Sequence, residues 1–311
     1  MGRDAWSGRD VLSILDFSRP TLELLFDEAN SFLDRPHLVK QSLRDKIVTT
    51  AFFEPSTRTR LSFGSAALKL GAKVLDLSPD VSSVLKGESL PDTIRMLDGY
   101  SDIIVMRHPS EGAALLASEV ASVPIINGGD GSQHHPTQAM LDLFTVKRLK
   151  GEIDGLNYVV LGDIRYARSA TSFLYGLSKY KPGTVHLVSP ESLRPRNEVK
   201  DKLKQIGLKT EEQDDLESVI ADVDVIYMTR IQKERFPDPN EYEKVKGSYR
   251  ITKSSLANAK KGSIVLHALP RTNELAYEVD SLPNAAYMKQ ARFGVPVRMS
   301  LLDLVMGGNR R

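Results

Sequence analysis

Short runs of β-branched and aliphatic residues alternate along this chain with longer stretches whose apolar residues recur at helical spacing, and the series occurs twice. Residues 46–53, 73–77, 102–106 and 124–127 read as buried strands. Between and after them, helical periodicity runs from Thr57 through Leu61, Ala67, Leu68 and Leu70, again over 111–121, and from Pro136 to just before Gly151. A second series places strands at 157–161, 183–188, 223–229 and 263–267, separated by helices such as 167–179 and 198–206, and a last helix over 288–306. Parallel strands need long crossovers, which helices supply. The expected fold class is therefore α/β, with two doubly wound domains, each a parallel sheet flanked by helices.

The first crossover begins with an unusual turn. Ser56-Thr57-Arg58-Thr59-Arg60 sits where a strand gives way to a helix. A helix N-terminus offers unpaired backbone N–H groups and partial positive charge. Three hydroxyls and two guanidinium groups add to that field, so the turn is suited to a phosphate or another compact dianion. Ser and Thr before a helix also serve as ordinary caps, and the turn alone does not separate the two readings.

With 311 residues, 41 % apolar and 26 % charged content, the chain has enough apolar residues for two globular cores. A net charge of +2 provides no global field for nucleic acid. No cysteine is present, which excludes disulfides, thiolate nucleophiles and cysteine-ligated metals within the chain. The six histidines show no paired i, i+4 spacing on a helix, so no metal and no cofactor are expected. No run approaches the roughly 18 apolar residues of a membrane span, and the polar N-terminal stretch is not that of a secretory signal. The expected location is cytoplasmic.

Ligands of open parallel sheets collect at the carboxyl ends of strands, and further polar clusters fall there. Arg107-His108-Pro109 follows the strand ending at Met106, and Gly131-Ser132-Gln133-His134-His135-Pro136-Thr137-Gln138 leads from a strand-end loop into a helix. Pro-Ser-Thr-Arg-Thr-Arg over 55–60, taken with His-Pro-Thr-Gln over 135–138, resembles the aspartate and ornithine transcarbamoylases over nearly the whole chain. The resemblance implies that Ser56, Thr57, Arg58, Thr59, Arg107, His135 and Gln138 bind carbamoyl phosphate. Arg107, His135 and Thr59 would then polarise its carbonyl oxygen. It further implies a carbamoyl phosphate domain over 1–137, rejoined by the C-terminal helix 292–311, an acceptor domain over 138–291, and an active site in the cleft between them.

Gly162-Asp163-Ile164-Arg165-Tyr166-Ala167-Arg168 and Met228-Thr229-Arg230-Ile231-Gln232 lie at strand ends of the second series. Arg168, Arg230 and Gln232 are suited to carboxylates, whereas two arginines would repel a cationic ornithine side chain. These strings resemble the aspartate branch. The expected reaction is transfer of the carbamoyl group to L-aspartate, giving N-carbamoyl-L-aspartate in pyrimidine synthesis. In the family, Leu269 and Pro270 match a turn with a cis peptide whose backbone oxygens accept from the attacking amine, while Ala268 departs from the usual pattern. Residues matching Glu54, Arg168 and Arg235 form salt links between family domains.

By itself, the polar stretch 82–89 reads as a solvated turn. The resemblance makes it a mobile loop whose Ser82 and Lys86 reach a neighbouring subunit's site, with Lys86 touching both substrates, and so implies a homotrimer with shared sites. Regulatory chains are left open as partners. Two other readings also remain: an ornithine or other amino-acid transcarbamoylase, and a non-catalytic anion-binding paralogue.

Overall fold

The computed structural model describes residues 2–79, 82–236 and 238–307. The chain divides into two units, Met1–Leu141 with Arg292–Arg311, and Asp142–Ala291. Of the expected C-terminal segment 292–311, residues 308–311 lie outside the described residues.

In the first unit, helix α1 (Arg19–Asp34) starts at Ser18, whose hydroxyl accepts the Thr21 N–H, and Pro20 stands in its first turn, where a missing N–H costs nothing. Its apolar stripe buries Leu22, Leu25, Phe26 and Ala29. There follow β1 (Ile47–Phe52), α2 (Thr57–Lys69), β2 (Lys73–Leu77), α3 (Leu90–Asp98), β3 (Ile103–His108), α4 (Ala113–Val120) and β4 (Ile125–Asp130). The strands form a parallel sheet in the order β2-β1-β3-β4. Helices cover it, so its strands bury mostly apolar residues: Val48, Ala51, Ile103, Ile104, Val105, Ile125 and Ile126 are all buried, with Thr49 and Thr50 buried beside them in β1. Beyond β4, Val11 bridges Ile126, donating its N–H to the Ile125 carbonyl at 2.8 Å and accepting from the Asn127 N–H at 2.9 Å.

Helix α5 (Pro136–Lys150) contains the division between Leu141 and Asp142. The second unit then runs through β5 (Tyr158–Leu161), α6 (Arg168–Leu177), β6 (Val185–Val188), α7 (Asn197–Gln205), β7 (Glu211–Gln213), β8 (Val225–Met228), α8 (Pro239–Val245), β9 (Ile264–His267) and the start of α9 (Tyr287–Met306). Its five parallel strands are ordered β7-β6-β5-β8-β9. Strand β7 is an edge strand whose two glutamates are exposed; with no inward apolar residue it carries no strand signal in the sequence. The core on one face gathers Val159, Leu161, Ile226, Met228, Val265 and Tyr287.

Both sheets reverse direction, the first after its second strand and the second after its third. In the first, the chain steps outward from β1 to β2 and then crosses to β3 on the other side; in the second, it steps from β5 out to β7 and then crosses to β8. Each reversal leaves a crevice at the carboxyl ends, between β1 and β3 and between β5 and β8, where open α/β sheets take their ligands.

Gly162 closes the turn after β5. Its φ is +108°, and a β-carbon there would stand 2.5 Å from the Thr229 carbonyl oxygen and 2.9 Å from its hydroxyl. Close approach of β5 and β8 therefore requires glycine. Gly162→Ala should lower stability by about 2 kcal/mol or more, read as a lower urea midpoint at unchanged slope; a wild-type midpoint would contradict this account of the turn.

Candidate active site

The first crevice is built on the register Phe52↔Arg107 between β1 and β3. Past β1 the chain turns through Glu54 and Pro55 into α2. Ser56 occupies the helix N-cap but makes no side-chain capping bond, unlike Ser18 or Ser89 at their helices. The first N–H groups of α2 thus lack the hydroxyl partner that a cap normally provides. Arg58, in the same first turn, is exposed. Thr59 is buried.

Arg107 lies at the end of β3 with its Nε 2.8 Å from a Glu54 oxygen, and its Nη1 donates to the Gly128 carbonyl at 3.4 Å. A β-carbon on Gly128 would lie 3.0 Å from the Met106 carbonyl oxygen and 3.6 Å from the Thr59 methyl, so Thr59, Arg107 and the end of β4 crowd one spot. The pairing of Glu54 with Arg107 inside one unit was not foreseen from sequence. It holds the guanidinium group in a fixed orientation at the crevice. Beside it, burial lowers the His108 imidazole below its ordinary value, outweighing the opposing pull of Glu54 and Asp130, and its Nδ1 accepts the Ser110 N–H at 3.0 Å.

The loop from β4 into α5 is tied by Asp130, which accepts from the Asn127 side chain (3.0 Å) and from the Gly112 and His134 N–H groups (3.1 Å each). This delivers His135 as the residue whose carbonyl accepts the Gln138 and Ala139 N–H groups of α5. His135 and Gln138 are both buried, and His135 Nδ1 is 3.3 Å from the Thr137 hydroxyl. Adjacent histidines part company here: His134 Nδ1 faces the Ser13 hydroxyl at 3.4 Å. Ser56 to Thr59, Arg107, His135 and Gln138 therefore follow three neighbouring strands, β1, β3 and β4, spanning ~10 Å at the usual strand spacing.

Ser82 and Lys86 are not drawn into this cluster. The Ser82 hydroxyl accepts the Val84 N–H and donates to the Pro79 carbonyl, capping a short turn over Ser83–Lys86. Lys86 is exposed, and its side chain makes no hydrogen bond or ion pair with the described residues.

The second crevice is organised by Asp163, which is fully buried after β5 and accepts the N–H groups of Tyr166 (2.8 Å) and Gln232 (3.3 Å), joining the turn after β5 to the loop after β8. Burial pushes its carboxyl up to about 6, against the downward pull of those N–H groups and of the Arg230 charge. Gln232 is engaged on both ends: it donates to the Tyr166 carbonyl at 3.3 Å and accepts from Arg235 Nε at 3.1 Å. Arg168 is buried in the first turn of α6, and Arg230 is half-buried directly after β8. Arg168, Arg230 and Gln232 thus stand on two neighbouring strand ends. At the end of β9, the Leu269-Pro270 bond is cis and Leu269 has φ +59°. His267 is buried under this turn with Glu274, a pair that carries no sequence signal beyond the motif itself.

Chemically, the first crevice offers donors for a compact anion and its carbonyl, and the second offers cations and fixed amides for carboxylates. Among the described residues no group of three or more His, Asp or Glu is placed to hold a metal ion, and no helix is long and apolar enough to cross a membrane.

Residues 9–148 match the carbamoyl-P binding domain of the aspartate/ornithine carbamoyltransferases, and residues 154–305 match their Asp/Orn binding domain. The chain belongs to the aspartate/ornithine carbamoyltransferase family and is a transferase of that class. Within it, the chain stands with the aspartate carbamoyltransferase catalytic chains. It is 56 % identical over 302 residues to the aspartate carbamoyltransferase catalytic subunit of Thermofilum pendens, covering 97 % of this chain and 96 % of that one. Among solved structures, aspartate transcarbamoylase from Trypanosoma cruzi in complex with carbamoyl phosphate and aspartate superimposes with a TM-score of 0.93 at 36 % identity, covering 97 % of this chain and 98 % of the other. The catalytic subunit of M. jannaschii aspartate transcarbamoylase does so with a TM-score of 0.86 at 48 % identity, covering 95 % and 97 %.

Glu274 gives the second unit a pH signature. Burial works to raise its pKa, but hydrogen bonds from His267 and Thr272 win and hold it at about 2, against an ordinary 4.5. A carboxylate depressed in the folded state adds stability above its unfolded pKa, which is lost as pH falls through the folded value. Between pH 4.5 and about 2 the parent should lose about 3 kcal/mol that Glu274→Gln does not lose. Acid titrations of urea midpoints check this, and parallel curves would remove Glu274 as the cause.

Proposed function

We propose that the chain transfers the carbamoyl group of carbamoyl phosphate to the amino group of L-aspartate, giving N-carbamoyl-L-aspartate and phosphate, a step of pyrimidine synthesis. The observation that carries this reading is the clustering of anion donors at the reversal point of each sheet. In the first unit, Ser56, Thr57, Arg58, Thr59 and Gln138 receive the phosphate at the uncapped start of α2. Arg107, His135 and the Thr59 hydroxyl face the carbonyl oxygen, where negative charge grows as the amine nitrogen attacks carbon. The bond between the carbonyl carbon and the bridging oxygen then breaks, and the phosphate leaves with the electron pair and takes up the proton that the amine nitrogen gives up. One such donor is worth about 3 kcal/mol of barrier, so the protein needs no nucleophile of its own.

In the second unit, Arg168 and Arg230 take the two carboxylates with Gln232 beside them, and the backbone oxygens at Leu269 and Pro270 accept from the amine. Arginine suits this because its planar fork matches a carboxylate bidentately. We further read Ser82 and Lys86 as donors to the site of a neighbouring copy in a homotrimer, Lys86 touching both substrates. Two observations support this. Lys86 stands exposed and without a partner among the described residues. An open groove of about 600 Å³ along α2 and β2 is flanked by Leu61 and Leu68, which are 63 % and 65 % exposed, a surface suited to subunit contact. With no disulfide to form, the chain has no need of an oxidising compartment, and we place it in the cytoplasm.

An acceptor assay tests the reaction: purified chain with carbamoyl phosphate should release phosphate with aspartate and not with ornithine. Ornithine use would move the chain to the other branch, and inactivity with both would favour a non-catalytic anion binder. Shared sites are tested by mixing Lys86→Ala with His135→Ala chains, each inactive alone. Hybrids should regain a substantial fraction of wild-type activity, and mixtures that stay inactive would refute the exchange of Lys86 between copies.

A further inference from the structure

His267 closes β9 and has no part in the reaction as described so far. Both of its ring nitrogens are committed: Nδ1 accepts the Leu269 N–H at 2.8 Å, and Nε2 is 3.0 Å from a Glu274 carboxylate oxygen. An imidazole nitrogen that accepts a backbone N–H carries no proton of its own, so the proton sits on Nε2 and is donated to Glu274. Glu274 is anchored in turn by the Thr272 N–H (3.0 Å) and hydroxyl (2.8 Å). The His267 N–H donates to Gln290 Oε1 at 2.8 Å. Gln290 Nε2 donates to Asp142 at 2.6 Å, and Asp142 accepts the Tyr227 hydroxyl at 2.8 Å. His267, Glu274, Gln290, Asp142 and Tyr227 are all buried.

These bonds converge on one residue in an unfavourable conformation. Leu269 has φ +59°, a region that residues with a β-carbon adopt only when their surroundings impose it. Its N–H is the group that His267 Nδ1 receives. From this geometry we infer that His267 is a positioning residue for the amino acceptor: held in its Nε2–H form by Glu274, it fixes the left-handed Leu269 and thereby the direction of the backbone oxygens at Leu269 and Pro270. The inference rests on the proposed role of that turn in binding aspartate.

Two substitutions separate the functions of the ring. Asn places an oxygen where Nδ1 stands and keeps the acceptor for Leu269; Gln reaches Glu274 but leaves the Leu269 N–H without its partner. His267→Gln should lower kcat/KM for aspartate roughly 100-fold, through KM, with KM for carbamoyl phosphate unchanged, because a misdirected acceptor by about 1 Å has costs of that order. His267→Asn should stay within about tenfold of wild type. Equal losses in both variants, or a loss shared by the two substrates, would reduce His267 to a packing residue and overturn the inference. A measurement on the unaltered protein stands apart from variant folding: long-range ¹H–¹⁵N spectra of ¹⁵N-histidine-labelled chain should show His267 as the Nε2–H tautomer, and an Nδ1–H tautomer would overturn the inference. If the wild-type chain fails to use aspartate, the function proposed for the turn falls, while the tautomer result still decides the geometry.

Discussion

The direction reversal within each parallel sheet is the constraint from which the candidate site follows. Crossovers of one hand, β1 to β2 and β5 to β6 to β7, build each sheet outward on one side, and the next crossover must return to the other side of the starting strand. The loops leaving β1 and β3, or β5 and β8, therefore diverge to opposite faces and leave a crevice between them that packing cannot fill. Side chains on those two loops and the N–H groups of the following helix meet there without any long excursion of the backbone. Arg107 and the Ser56 turn in the first unit, and Arg230 and the Gly162 turn in the second, owe their proximity to this topology.

Collecting cations at such points is costly unless fixed anions balance them, and each unit carries one. Glu54 lies against Arg107, and Asp163 lies beneath the loop that carries Arg230. The two act differently. Glu54 pairs with the guanidinium group directly and orients it, whereas Asp163 is spent mainly on backbone amides and holds two loops in register. A fully buried carboxylate is expensive, as its elevated pKa records. Its retention at the base of the second crevice is understandable if loop geometry there matters more than stability.

How much of this was legible in the sequence follows from which groups leave a local signal. Buried parallel strands such as 102–106 and the Ser56 turn are written in consecutive residues, and the family motifs at 55–60 and 135–138 made the first crevice readable. Edge strand β7 was not, because Glu211 and Glu212 face solvent and carry no periodicity. The bridge of Val11 to Ile126 leaves no signal either, because a single bridging residue cannot show alternation. Glu54 with Arg107 and His267 with Glu274 were hidden for another reason. Such pairs are set by strand register and loop return, which no local pattern encodes.

The second crevice also shows why a transferase of this kind has reason to keep polar groups deep in its core. In the proposed reaction the acceptor's carboxylates are gripped by side chains, which can adjust by rotation. An amine gripped by carbonyl oxygens depends on backbone, which has no such freedom and no pKa to tune. Precision at that point has to come from behind, through groups that leave the backbone one conformation. His267, Glu274, Gln290 and Asp142 form a continuous set of directional bonds doing that, where an apolar core of equal volume would pack as densely but leave Leu269 free to relax out of its left-handed region.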